Sequence, residues 1–103
     1  MAQPDYVATG VRIRRRFRSL TRAGQVRVCA GELELLTSYG REIDSAPLHR
    51  VRVRGGPGGQ RVLAVVDGTR YHLRTAGDRR GELLNGVRTA QAKAAAELGI
   101  LEG

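Results

Sequence analysis

Between Val11 and Arg27 the chain carries arginine at positions 12, 14, 15, 16, 18, 22 and 27 and no acidic residue. A guanidinium offers paired N–H donors in a rigid fork that fits a carboxylate or a phosphate. The chemistry such a run can perform is therefore anion binding. Arg12, Arg14 and Arg16 alternate with Val11, Ile13 and Phe17, which predicts one outward strand face carrying all three. The candidate partner-binding set is Arg12, Arg14, Arg16, Arg18, Arg22 and Arg27. The partners that fit are an acidic protein segment or an anionic membrane surface, where each arginine contributes about 1 kcal/mol. The competing reading is a solvated strand face, cross-paired with Glu32 and Glu34. A second row, Arg50, Arg52 and Arg54, reads as an outward strand face whose like charges also discourage edge-to-edge association.

No other cluster supports a reaction. Cys29 is the single cysteine, and no histidine stands at motif spacing to act as its base. His49 and His72 are far apart in sequence, and with one cysteine they give no zinc-like pattern. His72 is expected to point outward between Arg70 and Arg74. Gly55 to Gly59 lacks the Gly-Lys-Ser/Thr ending of a phosphate loop and precedes a strand, so it reads as a connecting loop. Asp44 and Asp67 read as turn or strand-end residues. The expectation is a non-enzymatic protein without metal or cofactor.

The 103 residues suffice for one domain, expected over residues 1–103, with a core at about 10–98 and looser ends. The net charge is +8, and Lys93 is the only lysine among 18 basic residues, a bias of the kind GC-rich bacterial genomes encode. No disulfide can form within the chain, residues 1–10 show no signal-peptide pattern, and the longest apolar stretch, Val62 to Val66, is far too short for a span. The expected location is cytoplasmic, peripheral to a membrane where the arginines meet one.

Alternation dominates the first 75 residues. Strands are predicted over 11–17, 25–30, 32–37, 41–45, 49–54, 61–66 and 69–75, with turns at Thr21–Gly24, Ser38–Gly40 and Asp67–Gly68. Phe17, Leu33, Leu35, Tyr71 and Leu73 are assigned inward, with Val26, Val28 and Ala30 on one face. From Asp78 the rhythm changes: Leu83, Val87, Ala90, Ala94 and Leu98 form one stripe of an amphipathic helix, with Asp78 as N-cap and Gly99 just past its end. Short turns imply antiparallel pairing. The expected architecture is a seven-stranded sandwich or partly open barrel capped by the helix.

This order resembles the PH-like superfamily, including bacterial PH-like and GRAM-like domains. The stretches that carry the resemblance are Gly31-Glu32-Leu33-Glu34-Leu35, Gly40, Pro47-Leu48-His49-Arg50-Val51, and Asp67-Gly68-Thr69-Arg70-Tyr71-His72-Leu73 before the helix. It implies seven antiparallel strands in two near-orthogonal sheets and a C-terminal helix that closes one corner. The helix lacks the tryptophan of many eukaryotic members. Gln25 stands where many lipid-binding members place a basic residue, between Arg16 and Arg18 on one side and Arg27 on the other.

The leading expectation is a PH-like adaptor whose basic hairpin meets an anionic partner. The alternatives are a structural or homodimeric module with incidental charge, and a nonspecific nucleic-acid binder. The last is disfavoured by few aromatic platforms and by the absence of a basic helix face.

Overall fold

The computed structural model describes residues 4–56, 59–75 and 79–102, with the backbone alone for 98–102. The strands are β1 (Tyr6–Arg15), β2 (Arg18–Cys29), β3 (Glu32–Leu36), β4 (Glu42–Pro47), β5 (Val51–Gly55), β6 (Arg61–Val66) and β7 (Thr69–Arg74). A 3-10 turn, Leu48–Arg50, joins β4 to β5, and the helix α1 (Arg80–Glu102) ends the chain. The fold is mainly β with one C-terminal helix, the class expected from the residues.

The strands make one antiparallel sheet in the order β4-β3-β2-β1-β7-β6-β5, not two separate sheets. β1 belongs to both halves: it pairs with β2, and through Arg12–Arg14 with β7. Its register against β2 shifts between Ala8 and Val11, between Val11 and Ile13, and between Ile13 and Arg14. Each such irregularity bends a strand and raises its twist. Gly10, at φ 67, occupies the first of them. The sheet therefore curls, and Tyr71 on β7 reaches Asp44 on β4, four places away in strand order, with a 2.7 Å hydrogen bond. The edge strands β4 and β5 do not pair, so the sheet is not a closed barrel.

The inner face follows from the alternation. Val11 and Ile13, Val26 and Val28, Leu33 and Leu35, Val62, Ala64 and Val66, and Tyr71 and Leu73 are all buried. Leu83, Val87 and Ala90 of α1 are buried against them, and Ala94 packs at the margin. Each large apolar side chain so buried contributes roughly 1.5–3 kcal/mol relative to exposure. Gly86, which weakens the helix intrinsically, has a packing reason. A Cβ there would lie 2.5 Å from Cδ1 of Tyr6, whose ring rests on the helix backbone.

The two sheet edges are protected differently. Gln91 of α1 donates through Nε2 to the carbonyls of Leu48 and Val51, at 3.1 and 2.5 Å. Arg88 reaches the Val53 carbonyl at 3.4 Å and Arg80 that of Gly56 at 3.2 Å. The helix thus satisfies acceptors along β5. On β4 the N–H of Ser45 donates to the Asp44 carboxylate at 2.8 Å, and Pro47 has no N–H to offer. Edges filled this way template a second chain poorly.

Several expectations are corrected. β1 ends at Arg15 and the chain reverses over Arg16 and Phe17, so Thr21–Gly24 lies inside β2. Phe17 is not a core residue: it stands at the hairpin tip, 98% exposed. Ala30 is not inward either. It and Gly31 form the β2–β3 turn with φ 53 and 79, the left-handed pair a two-residue hairpin needs. β1 already begins at Tyr6, within the segment expected to be loose. His49 and Arg50 belong to the 3-10 turn, and β5 begins at Val51. The helix continues through Gly99 to Glu102, because a glycine interrupts a helix only at modest cost. The expected N-cap Asp78, loop residues Pro57 and Gly58, and the side chain of Leu98 lie outside the described residues.

Candidate anion-binding face

The outer face of β1, β7, β6 and β5 carries the site. Because Val11, Ile13, Tyr71, Leu73, Val62 and Ala64 turn inward, their neighbours along each strand must turn outward. Register then assembles them into rows. Arg12 lies opposite Arg74, and Arg74 opposite Arg61. In the adjacent row Arg14 lies opposite His72, His72 opposite Leu63, and Leu63 opposite Arg54. Arg70, Val65 and Arg52 make a third row.

The first two rows wall a depression of about 550 Å³. Arg12, Arg14, Arg54, Arg61 and Arg74 contribute cations, and Val62, Leu63 and Leu73 apolar surface. Arg16 and Phe17 complete it from the β1–β2 tip. No carboxylate is among its described lining residues. Directly opposed like charges destabilise a sheet, so the first row carries a cost that an anion would relieve. Two contacts define its surroundings. Arg74 Nε donates to Oε1 of Gln60 at 3.3 Å, while Gln60 also accepts from the Thr75 backbone N–H at 2.9 Å. Nε of Arg12 is buried and has no hydrogen-bond partner among the described residues.

The six candidate arginines separate. Arg12, Arg14 and Arg16 line the depression, although Arg16 sits in the turn at φ 55, not on the strand face with the other two. Arg18 and Arg22 are exposed on β2 and do not line it. Arg27 is opposite Glu34 in register and bonded to it, with a closest approach of 3.1 Å. That hydrogen bond, with the charge of Glu34, raises the pKa of the Arg27 guanidinium above its ordinary value. In the second basic row Arg50 pairs with Asp67 at 3.1 Å, leaving Arg52 and Arg54 on β5. Arg54, Arg61 and Arg74 were not candidates. Their alternation with Val53, Val62 and Leu73 was visible, but nothing local to any of them says that β7 lies against β1.

Among the described residues no three His, Cys, Asp or Glu side chains converge. Cys29 is half-buried at the end of β2, opposite Glu32. The Tyr71 hydroxyl is pushed up to about 12, first by burial and then by its bond to Asp44, with Arg15 acting in the opposite sense. Tyr6 is also raised, by burial and by Glu82, against the influence of Arg79. No described helix is long and apolar enough to cross a membrane.

No family model and no curated protein matches this chain.

Proposed function

We propose that the protein is a non-catalytic PH-like binding module that takes an anionic partner on the outer face of β1, β7, β6 and β5. One observation carries this reading: a depression of about 550 Å³ is walled by arginines from four strands, with no carboxylate among its described lining residues. Two arginines outside it, Arg27 and Arg50, are paired with acids, Glu34 and Asp67. The element order and the helix packed over the inner face support the PH-like reading. The partners that fit are an anionic lipid surface and an acidic protein segment.

Cosedimentation with phosphatidylserine vesicles and retention on immobilised polyglutamate, each against a neutral control, test the proposal at low salt. Binding to at least one polyanion above the control is expected. Equal recovery on charged and neutral supports contradicts it.

The exposed Phe17 favours a second reading. It stands beside Arg14 and Arg16 on the rim of the depression, where a base could stack on its ring. Phe17, expected in the core, is instead an exposed aromatic platform. For single-stranded nucleic acid, affinity falls linearly on a log–log salt plot, and Phe17→Ala weakens it; a flat salt response and an unaffected variant remove this reading.

A further inference from the structure

Resting on the anion-binding reading above, we infer that the row Arg12–Arg74–Arg61 is a specific subsite for a terminal phosphate, a phosphomonoester or pyrophosphate group. The three residues are consecutive partners across β1, β7 and β6. Strands lie about 4.8 Å apart, so the three Cα atoms span about 10 Å. Long guanidinium side chains starting from so short a line can converge on one small ion.

The choice of phosphate over carboxylate follows from counting donors and charge. Each guanidinium presents a planar pair of N–H groups, and three of them exceed what one carboxylate with a single charge can accept. A phosphomonoester has three terminal oxygens and about −1.5 to −2 charge at neutral pH, which matches three cations more closely. Two independent observations favour a bound oxyanion. Among the described residues, none of those lining the depression beside the row is acidic. The buried Nε of Arg12 lacks a partner among the described residues, a cost an oxyanion could remove. Gln60, anchored by Thr75, holds Arg74 through Nε and so orients its guanidinium.

The test uses inorganic pyrophosphate titrated into the full chain, followed by NMR of the arginine Nε–H signals. Saturable binding is expected, weakened about tenfold in Arg12→Lys and in Arg74→Lys, which keep the charge but lose the fork. Arg41→Lys, in the β3–β4 turn, is expected to leave it unchanged. A second arm locates the source of the phosphate. Vesicles bearing phosphatidic acid are compared with phosphatidylserine vesicles of equal surface charge. Preference for phosphatidic acid assigns the group to a lipid headgroup, and no preference with pyrophosphate binding intact assigns it to a soluble phosphoester. Absent pyrophosphate saturation, or lysine variants of wild-type affinity, overturns the subsite. If polyanion binding above the neutral control persists in that case, the broader anion-binding reading stands; if it is also absent, both fall.

Discussion

The hydroxyl of Tyr71 donates to Oδ2 of Asp44 at 2.7 Å and so ties β7 to the edge strand β4 across the curled sheet. This bond closes the two halves that β1 joins only at its bend. Tyr71→Phe should therefore lower unfolding free energy by about 1–2 kcal/mol, since it removes the donor and leaves a half-buried carboxylate under-satisfied. Urea denaturation of the variant checks the value.

The same hydroxyl gives a pH dependence. Its folded pKa of about 12 lies above the ordinary value of 10. The unfolded chain thus gives up this proton first as pH rises, so ionisation favours the unfolded state. The stabilisation is fully present below pH 10 and declines between pH 10 and 12. Denaturation midpoints measured from pH 8 to 11.5 should fall at the alkaline end in the wild type. In Tyr71→Phe the fall should be smaller.

Gly86→Ala sets two effects against each other. Helix propensity favours alanine by about 1 kcal/mol. The new Cβ, however, would come 2.5 Å from Cδ1 and 2.7 Å from Cγ of Tyr6. Overpacking costs about 1–3 kcal/mol, so net destabilisation is expected. Adding Tyr6→Ala should make the alanine at 86 favourable again, which a double-mutant cycle in thermal melts will show.

Gln91 holds two carbonyls with one amide, those of Leu48 and Val51. Gln91→Leu keeps the volume and removes both bonds, and should cost about 1–3 kcal/mol. It also uncovers acceptors along β5, so light scattering at high concentration should show more self-association than in the wild type.

Much of this architecture was legible because period two records burial directly. Val26 and Val28, Leu33 and Leu35, Val62 to Val66, and Tyr71 with Leu73 announce their strands and their inward face. The helix stripe at Leu83, Val87 and Ala90 was equally plain. The β1–β2 turn was hidden because Arg16 and Phe17 carry no turn chemistry, while Thr21 to Gly24 imitates it. Gly24 answers a different need: a Cβ there would lie 2.5 Å from the Leu36 carbonyl oxygen. The candidate site was half legible. Arg12 and Arg14 stood out as a local run. Their neighbours Arg74 and Arg61 come from strands far along the chain, and only the pairing of β1 with β7 gathers them. Arg27 looked equivalent to Arg12 until its register placed Glu34 beside it.

The proposed anionic partner meets the β1–β7–β6–β5 face and not Arg18 and Arg22 of β2. The most direct measurement compares two variants on phosphatidylserine vesicles and immobilised polyglutamate at low salt. Arg14→Ala, Arg61→Ala and Arg74→Ala combined remove roughly 3 kcal/mol of attraction at a charged membrane, about a hundredfold in affinity. Arg18→Ala with Arg22→Ala should cost far less. A large loss in the first variant alone is the predicted result. Equal losses in both, or a loss confined to the second, contradict the account.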